Sequence, residues 1–454
     1  MNSRTNPRVD SVRPTALATV SANSVALVAA IGLVLVSLAA CSPSPEARAM
    51  QRIERVEAGL RERLADPPWK TMDLTDRMAY YAVPGLSIAV IDDGRVAWAK
   101  GYGLLETGGS RAVTPETLFQ PGSIGKPMVA LATLQLVESG LLDLDQDISQ
   151  QLTSWQIPEN PFTATRKVTL RRLLSHSAGV TVGGFVGYRQ GAPLPDLQQV
   201  LDGMPPANSP PIVVDLMPGT QERYSGGGYM IVQQLLEDVT GQPLPELMQQ
   251  LVLDPLGMDA STFIWPLPEE MRPAAARGHR ASGAAIPGGW HIYPEAGAGA
   301  SLWSTPTDVA RFAIDLTNSY NGEGDSLLSH AMSMEMLTPL INDRGLGLLV
   351  YDDGADRFYF MHPGANDGYK SVLVVYPERR QGVVIMTNSD AGDQLWREVL
   401  NSVSVEYGWT RDRTWLYAGI LAGIIAVALG VLTRYRRGSK SGPRPEEPSE
   451  LDAG

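Results

Sequence analysis

The stretch that decides the architecture is Leu86-Ser87-Ile88-Ala89-Val90-Ile91, followed by Asp92-Asp93-Gly94-Arg95 and Val96-Ala97-Trp98-Ala99-Lys100. Two β-rich runs flank an Asp-Gly turn, which predicts a β-hairpin over 86–91 and 96–100, because the positive-φ turn that Asp-Gly adopts matches the twist of paired strands. Just ahead of it, the spacing of Ile53, Val56, Leu60 and Leu64 predicts an amphipathic helix over 46–65. A matching block lies near the other end. There 358–361, 371–376 and 382–387 are β-rich, Pro377-Glu378-Arg379-Arg380 is the turn between the last two, and a helix is expected over 394–403. Five such strands form one antiparallel sheet only if the two ends of the chain meet. Between them, 115–340 reads as mainly helical and punctuated by Gly and Pro, with Ser304-Thr305-Pro306-Thr307-Asp308 as a helix start. The expected fold class is α+β: a five-stranded antiparallel sheet flanked by N- and C-terminal helices, with a mainly helical subdomain inserted between its halves, together occupying 46–405.

With 454 residues, 44% hydrophobic and 19% charged, the chain can bury a sizeable core. A net charge of -12 with no basic stripe argues against nucleic acid as a partner. Both ends read as membrane devices. Arg4, Arg8 and Arg13 precede an apolar run over 25–40, and Leu38-Ala39-Ala40-Cys41 resembles a bacterial lipobox, so 1–41 is expected to be a signal with lipidation at Cys41, or an uncleaved anchor. Cys41 is the only cysteine, which excludes a disulfide within the chain. Residues 415–432 are almost wholly apolar and are followed by Arg434, Arg436 and Arg437. That pattern predicts a transmembrane helix over 415–432 with 433–454 as a cytoplasmic polar tail. The expected location is the bacterial inner membrane, with the intervening domain facing the periplasm.

The chemistry lies in the middle. Phe119-Gln120-Pro121-Gly122-Ser123-Ile124-Gly125-Lys126 precedes a helix expected over 127–138 and stopped at Gly140. Serine and lysine three apart at a helix start project from one face within hydrogen-bond reach. Burial beside a helix N-terminus disfavours positive charge, which suits such a lysine to take the serine proton. The same dipole and the Ser123 backbone N–H can stabilise an oxyanion. A Ser-x-x-Lys match alone equally describes a capped helix with a solvated lysine. Two further clusters add weight: Pro218-Gly219-Thr220 with Arg223-Tyr224-Ser225-Gly226-Gly227-Gly228-Tyr229, opening a helix that runs to Gly241, and His362-Pro363-Gly364-Ala365-Asn366 after the strand 358–361.

Ser-x-x-Lys, Tyr-Ser-x and basic-x-Gly in this order resemble the serine β-lactamase and penicillin-binding-protein family, particularly its class C, D,D-carboxypeptidase and esterase branch. The resemblance covers about 50–405 and includes Val83-Pro84-Gly85-Leu86, Leu170-Arg171-Arg172-Leu173-Leu174-Ser175-His176-Ser177-Ala178-Gly179 and Tyr376-Pro377-Glu378-Arg379. It implies that Ser123 attacks an acyl carbon and Lys126 takes its proton. Tyr224 would relay a proton to the leaving group and could share the base role. The backbone N–H groups of Ser123 and Ala365 would form the oxyanion hole, Gly226 and Gly364 would border the substrate, and His362 would orient the Tyr224 hydroxyl or meet a substrate carboxylate.

Three departures bear on substrate. Gly226 stands where β-lactamases usually have asparagine, which would weaken amide recognition and widen the pocket. Pro363 replaces a hydroxyl residue, and His362 replaces a lysine that would be fully charged. They argue against efficient β-lactam hydrolysis and for a small-molecule ester or peptide-like acyl donor, including D-amino-acid or cell-wall peptides. A weak β-lactamase, an acyltransferase, and a non-catalytic tethered binder of cell-wall peptides are the rival readings. The remaining histidines, His176, His279, His291 and His330, show no metal-ligand spacing, and neither metal nor other cofactor is expected. His176 reads as structural. The aromatic run from Gly288 to Glu295 fits either a cleft-lining or a packed loop.

Overall fold

The computed structural model describes residues 44–410 apart from 65, 68 and 353–356. The chain divides into two compact units. The first, Met1–Arg52, is described only over 44–52, where helix α1 (Pro45–Ala58) begins. The second, Ile53–Gly454, contains the sheet and the site.

The Asp-Gly turn joins β1 (Gly85–Asp92) to β2 (Arg95–Gly103), with φ of 56° at Asp93 and 67° at Gly94. The block near the other end contributes β4 (Tyr359–Asn366), β5 (Tyr369–Tyr376) and β6 (Gln381–Thr387), and β1 pairs antiparallel with β6, so the two halves of the sheet meet. The expected five strands are corrected to six. A three-residue strand, β3 (Leu349–Tyr351), pairs with the start of β4, and the sheet order is β2-β1-β6-β5-β4-β3. Three residues carry too little alternation to register as a strand in the sequence.

The expected transmembrane helix and inner-membrane location are also corrected. Among the described residues no helix is long and apolar enough to cross a membrane. Residues 415–432, the tail 433–454 and Cys41 with the rest of 1–41 lie outside the described residues.

Alternation along the strands sends side chains to two cores. On one face Leu86, Ile88, Val90, Val374 and Ile385 pack with Leu74 and Met78 of α2 (Leu74–Tyr80) and with Leu395, Val399 and Val403 of the C-terminal helix (Gly392–Glu406). On the other, Ala89, Ile91, Leu373, Val384 and Met386 pack with the inserted region. Burial on both faces is why β1 and β6 read as nearly continuous apolar runs. The insert holds three long helices, α3 (Gly125–Glu138), α4 (Gly226–Thr240) and α5 (Pro306–Asn321). Its other α-helices have five to seven residues, and 254–305 contains none, only the 3₁₀ turn Arg272–Ala274, so the insert is less helical than expected. Gly and Pro recur throughout that stretch and interrupt helical hydrogen bonding.

Candidate active site

The segment ahead of Ser123 is latched before α3 begins. Phe119 exchanges two backbone hydrogen bonds with Ser304, and the Gln120 Oε1 accepts from Asn366 Nδ2 at 3.0 Å. The Pro121 carbonyl accepts from the Ser371 hydroxyl at 2.7 Å. A Cβ at Gly364 would collide with that same carbonyl, and one at Gly122, where φ is 56°, would stand 2.7 Å from the Ala365 backbone N. Both glycines permit backbone-to-backbone approach between the turn Gly122–Ile124 and β4. Ser123 is thereby set beside Ala365 at the start of α3.

Lys126 is 2% exposed, and its Nζ donates to Ser123 Oγ at 3.1 Å and to the Ala298 carbonyl at 2.8 Å. Among the described residues no carboxylate pairs with it. The Ala298 carbonyl comes within reach because Gly125 and Gly299 leave room for each other: a Cβ on Gly125 would lie 2.5 Å from the Gly299 Cα. The same loop buries Glu295 completely with neither carboxylate oxygen hydrogen-bonded, and burial pushes its carboxyl up to about 8.

Tyr224 precedes α4, whose N-cap is Ser225. The Ser225 hydroxyl accepts from Gly228 N at 2.8 Å and donates to the Thr181 carbonyl at 2.6 Å. Gly226 N and Gly227 N donate to Gly183 and Val182 carbonyls, so these helix-start donors are spent within the fold. The Ser225 N–H donates to His176 Nδ1 at 3.1 Å, which fixes that ring as acceptor at Nδ1. The His176 ring lies 4.3 Å from that of Tyr224, and Lys126 Nζ lies 5.0 Å from the Tyr224 ring centre. Burial, with Lys126 and Arg344 nearby, holds His176 well below the usual imidazole range, so it is neutral.

The strand β4 continues past Met361, and His362 is part of it rather than following it. His362 is 1% exposed, with Nδ1 at 2.6 Å from the Pro363 carbonyl and Nε2 unpartnered. Burial first, then Lys126, lowers its titration to about 3. The ring is therefore a neutral donor at Nδ1 and an acceptor at Nε2, which does not suit it to meet a substrate carboxylate as a cation. Ser123, Tyr224, His362, Gly364 and Ala365 line one cleft of about 410 Å³. Gly226 does not line it. A Cβ there would stand 3.1 Å from Phe185 Cε2 and 3.2 Å from the Gly183 carbonyl, so the space is closed by an aromatic ring instead of widened. The aromatic run ending at Glu295 is packed: Trp290 meets Trp303 edge-on at 5.1 Å.

The sequence profile of the beta-lactamase family matches residues 73–400, spanning the sheet, Ser123, Lys126, Tyr224 and His362. The chain belongs to the beta-lactamase family. Over 343 residues, 71% of this chain and 86% of the relative, it is 29% identical to penicillin-binding protein 4 of Amycolatopsis lactamdurans. Over 194 residues, 41% of this chain and 48% of the relative, it is 29% identical to esterase EstB of Burkholderia gladioli. The octameric penicillin-binding protein homologue from Pyrococcus abyssi superimposes with a TM-score of 0.62 at 26% identity, covering 74% of this chain and 76% of that one. As a member of this family the chain is a serine hydrolase.

Two residues in or against this beta-lactamase family cleft take no site role from the sequence. Arg344 lines it beside Tyr224, and its Nε donates to Glu222 Oε1 at 2.6 Å. They are far apart along the chain and belong to no motif. His176 read as structural because its Leu-Leu-Ser-His-Ser stretch is structural in the family it resembles; its contact with Tyr224 depends on a loop path that spacing does not encode.

Proposed function

We propose that this chain hydrolyses ester or peptide-like acyl donors through a covalent ester on Ser123, within a catalytic domain spanning about 46–405. The observation that carries the reading is the buried Lys126 side-chain nitrogen, 3.1 Å from Ser123 Oγ and paired with no carboxylate among the described residues. In its neutral form Lys126 takes the Ser123 proton while Oγ bonds to the acyl carbon. Charge gathers on the acyl oxygen between the Ser123 and Ala365 backbone N–H groups. The bond to the leaving group then breaks, and the proton passes by way of Tyr224 to the departing atom. Water completes the cycle by the reverse sequence, releasing the acid and restoring the serine hydroxyl.

Substrate class follows from what borders the cleft. His362 is neutral, Pro363 has no hydroxyl or N–H, and Gly226 brings no side-chain amide to the cleft. These features disfavour β-lactam recognition and leave esters and D-amino-acid or cell-wall peptides. In purified protein, Ser123→Ala should lower hydrolysis of an activated aryl ester by about a thousandfold or more. Unchanged turnover in that variant contradicts the reading.

A further inference from the structure

We infer that His176 is a positioning residue for Tyr224, setting the phenol through which the proton reaches the leaving group; this rests on the Ser123 acyl-enzyme and the Tyr224 relay proposed above. Among the described residues the Tyr224 hydroxyl makes no hydrogen bond, so its place depends on its backbone and on the face of its ring. His176 holds both. Its carbonyl accepts from Arg223 N at 2.8 Å and its Nδ1 from Ser225 N at 3.1 Å, which fastens the residues on either side of Tyr224 to one histidine. Its ring lies against that of Tyr224, with centres 4.3 Å apart and planes at 41°. Closing this bracket takes His176 to a φ of 56°, a left-handed conformation uncommon away from glycine and kept where the surroundings impose it.

The histidine is itself held. It is buried just after the short helix Leu170–Leu174, and its N–H donates to the Leu173 carbonyl at 3.1 Å. Tyr229, in the first turn of α4, has its ring centre 5.3 Å away and donates its hydroxyl to the Leu174 carbonyl at 3.2 Å. Arg223 ties the same stretch again, its Nε and Nη2 donating to the Val180 and Gly179 carbonyls at 3.1 and 2.6 Å. A residue that served only to satisfy the Ser225 N–H would need an acceptor at the Nδ1 position and nothing more. Asparagine supplies that acceptor through Oδ1 and also tolerates the left-handed φ. What asparagine lacks is the ring face against Tyr224.

The test uses the full chain with para-nitrophenyl acetate, whose phenolate leaves without a proton, and ethyl acetate, whose ethoxide must be protonated to leave. Both give the same acetyl-enzyme, so kcat/KM compares the acylation step alone. Titrating Ser123 with a fluorophosphonate sets the concentration of folded enzyme in each variant. Tyr224→Phe should raise the ratio of kcat/KM for the nitrophenyl ester over the ethyl ester by about 100-fold, His176→Ala by about tenfold and His176→Asn by about threefold. Added to Tyr224→Phe, His176→Ala should move the ratio by less than about twofold, because the histidine acts through the tyrosine. Equal losses on the two esters in His176→Ala, or the same shift with and without the Tyr224 hydroxyl, overturn the inference while leaving the relay intact. If His176→Ala gives no folded protein, His176→Asn, alone and combined with Tyr224→Phe, is judged by the same ratio. A ratio unmoved by Tyr224→Phe overturns the relay and the inference with it, and hydrolysis of neither ester by wild type overturns the Ser123 reading as well.

Discussion

Two basic side chains are buried on opposite faces of the same sheet, and they are treated differently. Arg77, on the face covered by α2 and the C-terminal helix, donates through Nε and Nη2 to both oxygens of Glu398 at 2.7 and 2.6 Å, and the Tyr81 hydroxyl joins the same carboxylate at 2.6 Å. Lys126, on the other face, has a serine hydroxyl and a carbonyl but, among the described residues, no counter-charge. Around it, His176 Nε2 and His362 Nε2 are buried without partners, and Glu295, in the loop that supplies the Ala298 carbonyl, has both oxygens unpaired. A buried charge without its partner costs several kcal/mol, so a fold tolerates it only where something else requires it. The difference separates a face whose buried charge is neutralised by pairing from one whose buried basic group is left unpaired, which the proposed proton-transfer role of Lys126 would require.

The largest expected effects break the comparison directly. Lys126→Met should lower turnover by about a thousandfold, yet leave the urea midpoint unchanged or raised, because a buried basic group without a counter-charge is replaced by an apolar side chain of similar length. Arg77→Met should do the reverse. It strands Glu398, which is 2% exposed. That should cost roughly 3–5 kcal/mol in urea unfolding, with turnover per folded molecule nearly unchanged. If both variants lose stability alike, the two faces do not differ as argued.

Glu295 sharpens the comparison through pH. Its carboxyl titrates near 8 in the folded protein, far above the ordinary carboxyl range it returns to on unfolding. The folded state therefore binds the extra proton, and its stabilising effect is complete at acid pH and lost as pH rises through 8. Between pH 5 and 8 the loss should reach up to roughly 3 kcal/mol. Glu295→Gln should flatten that slope in urea midpoints measured at the two pH values. A slope of the same steepness in the variant would assign the effect to another group.

What the sequence made legible was local chemistry and strong alternation. Asp93-Gly94 announced its turn, Thr305-Pro306 its helix, and the Ser123-x-x-Lys126 spacing its hydrogen bond. Less visible was anything set by long-range approach. β4 was cut short at Met361 because Pro363-Gly364 reads as a strand breaker. It is tolerated because β3 pairs no further than Met361, which leaves the rest of β4 as an outer edge. Gly226 suggested open space, but Phe185 arrives from another loop and fills it. Arg344 and Glu222 meet only because the loop ahead of β3 folds over the segment leading into Tyr224. No spacing rule reaches that contact.

The central claim is that Ser123 is an activated nucleophile served by Lys126. Incubating the full chain with a fluorophosphonate and mapping the adduct by peptide mass spectrometry tests it most directly. The account predicts one phosphonyl adduct on Ser123, absent in Ser123→Ala and formed far more slowly in Lys126→Met. No adduct, an adduct on a different serine, or an unchanged labelling rate without Lys126 would contradict it.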